Sequence, residues 1–210
     1  MSDGRLLSQL VALVPGSEIV GGDTTVFDVT HDSRSAAEGT LFVAVVGMTS
    51  DGHDFVDDAI SAGAPALVVE VAQSVDVPQL IVPSSRSALP VLAAAVHQHP
   101  SRRIDVVGVT GTNGKTTVTH LVEAIGRVAG KTTGVVGTVG ARIAGAVVPV
   151  PRTTPEASDL QRLLADMAEA GVDLVAIEVS SHALALGRVE EVQFRVAAFT
   201  NLSQDHLDFH

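Results

Sequence analysis

Val109-Thr110-Gly111-Thr112-Asn113-Gly114-Lys115-Thr116-Thr117 is the stretch on which the reading of the fold turns. The residues that lead into it, 104–109 (IDVVGV), form a short continuous apolar run, as in a parallel strand buried on both faces. The residues that leave it, 115–129, carry a helical pattern that stops at Gly130. A strand that enters a glycine-rich turn and leaves as a helix makes a site for an anion. Its glycines let the backbone approach closely, successive N–H groups can cradle phosphate oxygens, and the helix N-terminus adds a favourable dipole. Lys115 is then expected to neutralise the β- and γ-phosphates of a nucleotide, and Thr116 to present a hydroxyl to Mg²⁺. The spacing departs from the common G-x-x-x-x-G-K-[ST] pattern, because the residue five before Gly114 is Val109 and the nearby glycines are Gly108 and Gly111. The alternative is a strand–turn–helix whose lysine has no ligand. The order of strand, turn and helix favours nucleotide binding, at Gly111, Thr112, Asn113, Gly114, Lys115, Thr116 and Thr117.

Outward from this turn the chain alternates strands and helices. C-terminal to it, strand 133–137 precedes an irregular stretch at 138–155, then helix 156–170 ending at Gly171, strand 173–179 and a last strand at 194–199. N-terminal to it, helical spacing at 5–14 stops at Pro15-Gly16, and strand-like runs at 25–30 and 40–46 flank the polar turn Asp32-Ser33-Arg34-Ser35. A helix at 54–63, strands at 66–71 and 79–82 and an Ala-rich helix at 86–98 complete this part. Residues 97–103 read as a linker, with His97 and His99 as exposed helix-end residues. The expected organisation is a small α/β unit at 1–100 followed by an incomplete parallel-sheet unit of the P-loop NTPase type at 101–210, with right-handed crossovers.

Composition narrows the functions. With 46% hydrophobic residues in 210, the chain can bury a sizeable core, which excludes wholesale disorder. A net charge of −11 leaves no basic face for nucleic acid, so no nucleic-acid partner is expected. The absence of cysteine removes disulfides, thiolate zinc sites and thiol nucleophiles, and fits a reducing cytosol. No apolar run approaches 18 residues and the N-terminus does not read as a signal peptide, so no membrane partner and a cytoplasmic location are expected.

Other chemistry gathers at the ends of the later strands. Ligands of an open parallel sheet bind at its C-terminal edge. Glu178-Val-Ser-Ser-His182 lies at that edge, and strand 194–199 brings Thr200-Asn201 and Asp205-His206 to it. Glu178 and His206 are thus placed to meet Thr116 around a Mg²⁺. One carboxylate and one hydroxyl would suffice for such an ion, which prefers hard oxygens. Without that metal, Glu178 is an acid at a strand end and His206 a loop histidine. Ser180, Ser181 and His182 do not make a serine nucleophile, because adjacent residues cannot form a useful Ser–His bond and no G-x-S-x-G elbow surrounds them. Arg152-Thr-Thr-Pro155 supplies a cation and two hydroxyls in a loop, with helix capping by Thr154 as the alternative.

These motifs together resemble the Mur ligases. In the first unit the likeness rests on Asp32-Ser33-Arg34, on residues 39–47 (GTLFVAVVG), on Asp51-Gly-His53 and on Ala62-Gly-Ala64. In the second it rests on residues 111–117, Thr153-Thr154, residues 178–184 (EVSSHAL), Arg188 and residues 201–210. Within the family the pattern is most similar to the branch that adds the third amino acid of the peptidoglycan stem.

The resemblance implies ATP-driven amide formation on UDP-N-acetylmuramoyl-L-alanyl-D-glutamate, with a diamino acid as the incoming amine and ATP and Mg²⁺ as cofactors. It implies that 111–117 hold ATP, with Lys115, Glu178 and His206 catalytic. Thr116 and Glu178 resemble ligands of one Mg²⁺, and His206 a ligand of a second. Ser33 resembles a contact to the UDP-sugar. Thr153, Thr154, Ser180 and Arg188 resemble contacts to the muramoyl-dipeptide. Leu186 and Arg152 depart from the family, which often has Gln and Asn there. The family also carries a carbamylated lysine and an amino-acid-binding domain beyond the last motif present. The 210 residues are therefore expected to be an N-terminal portion that does not complete the reaction alone. Other readings are the ligase that adds the terminal dipeptide and a non-catalytic nucleotide-binding module; folylpolyglutamate synthetase shares the P-loop but should lack the first unit's motifs.

Overall fold

A computed structural model of the chain describes residues 3–204, in two units spanning 1–98 and 99–210. The first opens with β1 (Arg5–Leu6), α1 (Leu7–Leu10), β2 (Glu18–Val20), β3 (Thr25–Val26), β4 (Asp28–Thr30) and β5 (Thr40–Val43). It continues with α2 (Val56–Ser61), β6 (Ala66–Val69), β7 (Gln79–Ile81) and α3 (Ser85–Val96). Its sheet runs β2-β7-β6-β5-β4, parallel except for β2, which pairs antiparallel with β7. Every residue of β5 (TLFV) and β6 (ALVV) is buried, as in strands covered on both faces.

Two expectations fail here. The helix expected at 5–14 is broken into β1, one turn of α1 and a 3₁₀ turn at Val11–Leu13. Arg5 and Leu6 pair antiparallel with Val26 and Thr25, while Leu7 and Leu10 are buried three residues apart. The strand expected at 25–30 is two strands in different sheets. Phe27 lies between them, and the amides of Phe27 and Asp28 both donate to the Gly39 carbonyl. His97, expected on the surface, is only 8% exposed, with Nε2 3.1 Å from Asp28 Oδ1.

The second unit contains β8 (Asp105–Thr110), α4 (Lys115–Val128), β9 (Thr133–Gly137), β10 (Gly140–Ile143) and β11 (Ala146–Val148). It continues with α5 (Ala157–Glu169), β12 (Leu174–Glu178), α6 (Ser181–Ala185) and β13 (Val196–Phe199). The sheet order is β11-β10-β9-β12-β8-β13, with β9, β12, β8 and β13 parallel. Leu160, Leu163, Leu164 and Met167 of α5 follow helical spacing and join Val106, Val136, Val175 and Ile177 in one core. α4 packs across β12 and β9.

The stretch expected to be irregular, 138–155, instead holds the antiparallel hairpin β10–β11 on the edge of the sheet. Its two-residue loop is Ala144-Gly145, with φ of +48° and +89°. Two positive φ values in succession are what a two-residue hairpin turn with right-handed twist requires. No helix among the described residues is long and apolar enough to cross a membrane.

Candidate functional site

The four parallel strands of the second unit end on one edge, and each delivers a piece of the site. β8 delivers the 111–117 turn, β9 delivers Thr138, β12 delivers Glu178 to Ser180, and β13 delivers Thr200 and Asn201.

The turn is held from outside. Gly111 has a φ of +127°, and a Cβ there would sit 2.2 Å from Thr200 Oγ1 and 2.8 Å from the Asn201 carbonyl, so only glycine fits. The Thr112 amide donates to the Asn201 carbonyl at 2.9 Å. The Asn113 amide donates to Asn201 Oδ1 at 3.1 Å. The Asn113 carbonyl accepts from Thr200 Oγ1 at 2.7 Å and from Asn201 Nδ2 at 3.0 Å. Gly114, with φ of +87°, stands at the start of α4. Its amide and those of Lys115, Thr116 and Thr117 have no acceptor among the described residues. They are the orphan donors of a helix N-terminus, a set of groups able to receive an anion. The amides left available to an outside acceptor therefore lie at 114–117, a narrower set than the whole turn expected from the sequence. Lys115 Nζ bonds the Gly111 and Thr112 carbonyls at 2.7 and 3.0 Å, which holds its charge over the turn.

One turn of hydroxyls surrounds Glu178, which is 1% exposed. Thr116 Oγ1 donates to Glu178 Oε2 at 3.0 Å. The Thr138 amide donates to Oε1 at 3.0 Å and the Thr138 hydroxyl to Oε2 at 3.1 Å. The carboxylate sits against Gly137, where a Cβ would come within 2.1 Å of Oε1. Thr116 and Glu178, expected together, are together. They are hard oxygen donors in contact at a nucleotide-type turn, a set that suits Mg²⁺. Among the described residues no group of three or more His, Cys, Asp or Glu side chains could hold a metal. Asp205 and His206 lie outside the described residues.

Sequence reasoning missed Thr138, which bonds both oxygens of Glu178 and lies 3.1 Å, hydroxyl to hydroxyl, from Thr153. Its only sequence signal is its place directly after an apolar strand, at the edge where ligands bind.

Thr154 is not the helix cap considered for it. The N-cap of α5 is Glu156. The Thr154 hydroxyl instead donates to the Glu178 carbonyl at 2.7 Å and accepts from the Ser180 amide at 3.1 Å, stitching the 152–156 segment to the end of β12. Ser180 caps α6, its hydroxyl accepting from the Ala183 amide at 3.2 Å. Arg188 Nη1 donates to the Thr154 carbonyl at 3.4 Å. Ser180 and Arg188 are thus connected through Thr154 to the backbone of Glu178, and Thr153 reaches the Glu178 carboxylate through Thr138.

Ser33 belongs to the other unit. It is half-buried in a 3₁₀ turn directly after β4, capped by Asp32, whose carboxylate accepts from the Arg34 amide at 3.0 Å. The Arg34 guanidinium bonds both Asp32 oxygens at 2.9 and 2.6 Å and holds that carboxyl below the usual carboxylate range. Asp51-Gly-His53 is built similarly. Asp51 Oδ1 accepts from the His53 amide at 2.9 Å, and the His53 ring Nδ1 lies 2.6 Å from it. His53 Nε2 accepts from the Glu70 amide at 2.9 Å, which puts the ring proton on Nδ1.

Known proteins share this pattern. Residues 25–111 match the Mur ligase family catalytic domain and residues 109–210 the Mur ligase middle domain. A UDP-N-acetylmuramoyl-L-alanyl-D-glutamate–2,6-diaminopimelate ligase of Geobacillus thermodenitrificans is 47% identical over 205 residues, 97% of this chain and 42% of its own length. A solved structure of a ligase of the same name is 27% identical with a TM-score of 0.75, covering 89% of this chain and 38% of that one. The structure of a MurF ligase from Thermotoga maritima in complex with ADP is 26% identical with a TM-score of 0.62, covering 87% of this chain and 39% of that one. The chain therefore spans less than half the length of the proteins it matches.

Proposed function

The chain belongs to the Mur ligase family, and on that premise we propose that it carries the ATP and muramoyl-dipeptide sites of an amide ligase. The reaction is the addition of 2,6-diaminopimelate to UDP-N-acetylmuramoyl-L-alanyl-D-glutamate, in the cytoplasm. The supporting observation is the convergence of Lys115, Thr116, Glu178, Thr154 and Ser180 on one sheet edge, behind four helix-start amides that have no acceptor among the described residues. The choice of diaminopimelate rests on the name of the relatives at 47% identity.

In this reading the amides of Gly114 to Thr117 receive phosphate oxygens of ATP, and a solved MurF relative at 26% identity is a complex with ADP. Lys115 leaves its carbonyl partners to neutralise the phosphoryl group in flight. Thr116 and Glu178 would hold Mg²⁺, which when bound offsets the negative charge of the phosphates. Thr138 keeps the Glu178 carboxylate in one orientation. Thr153, Thr154, Ser180 and Arg188 align the dipeptide so that its D-glutamyl carboxylate meets the γ-phosphate. The carboxylate oxygen bonds to phosphorus and ADP departs; the incoming amine then bonds to the acyl carbon and phosphate departs. Ser33, in the first unit, is assigned to the UDP-sugar, and His206 to a second metal.

Thermal unfolding with and without MgATP tests the nucleotide site. A ligand at 100 times its Kd stabilises by about 2.7 kcal/mol. Lys115→Ala should remove that gain while leaving the unliganded midpoint within a degree or two. A variant stabilised by MgATP as much as the unmodified chain would overturn the assignment.

A further inference from the structure

The carboxylate of Glu156 is 5% exposed and stands between two arginines. Arg152 Nη1 bonds Glu156 Oε1 at 3.0 Å, and Arg188 Nε lies 2.8 Å from the same oxygen as an ion pair. The two guanidinium groups are not equivalent. The Arg188 side chain is 11% exposed and also reaches the Thr154 carbonyl, whereas the Arg152 side chain is 52% exposed. Glu156 is the N-cap residue of α5, where an acid ordinarily bonds the first helical amides, yet its side chain makes no cap bond. The carboxylate faces the arginines instead. One acid between two cations leaves a net positive charge, next to the threonine and serine assigned to an anionic substrate. A long arginine held at one end by a buried acid loses the rotamers that would carry its fork away.

We propose that Glu156 is a positioning residue that orients Arg188 toward a carboxylate of the muramoyl-dipeptide and brings Arg152 beside it as a second cation. This rests on the reading of Arg188 as a dipeptide contact. It also gives Arg152, which departs from the family's usual Asn, a place in the site.

The test is calorimetric titration with two ligands, UDP-N-acetylmuramoyl-L-alanyl-D-glutamate and UDP-N-acetylmuramate, which lacks the peptide carboxylates. The unmodified chain should prefer the first. Glu156→Gln should weaken the first by about tenfold and leave the second within about twofold. In an Arg188→Ala background the same change should cost clearly less than in the unmodified chain, because only the Arg152 contact is then left for Glu156 to hold. Equal weakening of both ligands, or full additivity with Arg188→Ala, overturns the proposal. If Arg188→Ala abolishes the preference and Glu156→Gln preserves it, the positioning role falls and the dipeptide reading stands. If the unmodified chain shows no preference, both fall. Glu156→Asp keeps the charge but shortens the reach, and covers the case in which the glutamine variant does not fold: the same selective loss is expected, and retained preference overturns the proposal.

Discussion

The two sheets of this chain end their parallel strands in turns closed by opposite means. In the first unit the turns that follow β4 and β5 are each closed by an acid of their own, while the end of β6 is tied through Glu70 to Ser85, 15 residues on. Asp32 accepts from the amide of Arg34 and Asp51 from that of His53, both two residues on. In the second unit the turn is closed by residues far along the chain. Asn201 receives the Asn113 amide across 88 residues, and Glu178 receives the Thr116 hydroxyl across 62. A locally closed turn keeps its shape from its own sequence. A turn closed by distant strands keeps its shape only while the sheet edge is assembled, so the second unit's site and its fold are one structure.

Crowded glycines break this contrast most strongly. Gly52 and Gly111 each lack room for a Cβ, which would lie 2.5 Å from the Val45 amide nitrogen at Gly52 and 2.2 Å from Thr200 Oγ1 at Gly111. Alanine at either position should cost its unit about 3 kcal/mol, since backbone neighbours must move. Native-state amide exchange should show Gly52→Ala weakening 1–98 and leaving MgATP stabilisation intact, while Gly111→Ala weakens 99–210 and abolishes it. Equal response to MgATP in both variants would remove the distinction.

A smaller effect is expected at Thr138. Thr138→Val keeps the amide bond to Glu178 Oε1 but removes the hydroxyl that serves Oε2 and meets Thr153. A buried carboxylate that loses one of its donors should lower stability by about 1–2 kcal/mol. Because the hydroxyl joins the Glu178 cluster to the Thr153 loop, chemical denaturation and MgATP titration should both register the change. An unchanged denaturation midpoint would show that the hydroxyl is not needed to satisfy Glu178.

The same contrast explains what could be read in the sequence. α4, α5, β5 and β9 announce themselves through apolar runs or spacing, because their burial repeats along the chain. The Gly111 to Thr117 turn is legible because its partners in the mechanism, glycines, lysine and threonine, are neighbours. β1 has two residues, too few to show a period, so the apolar spacing of 5–14 reads as one helix. β10 and β11 lie on an edge with little buried alternation, and their clearest signal is Gly145 in the loop. Thr138 and Glu156 are illegible for a stronger reason. Their significance lies in what they touch, 40 and 32 positions away, and no local pattern encodes that distance.

Acid gives the finest test of the comparison. The Arg34 side chain, and secondarily its amide, hold Asp32 below the ordinary carboxylate value of 3.8. The His53 amide and then its ring do the same for Asp51. A carboxyl whose pKa is lower in the folded state contributes stability that is complete above its unfolded pKa and is lost as pH falls through the lowered value. Both carboxylates are substantially solvated, so the loss should be small, and it should appear only below about pH 4. The Thr112 and Asn113 amides are held by the carbonyl and amide oxygens of Asn201, which do not titrate. Lowering pH from 6 to 3 should therefore speed exchange at the Arg34 and His53 amides, which donate to Asp32 and Asp51, relative to those of Thr112 and Asn113, after correction for intrinsic rates. Asp51→Asn should flatten the slope at His53. Parallel slopes in the two turns would mean that the first unit's turns are not held by their acids.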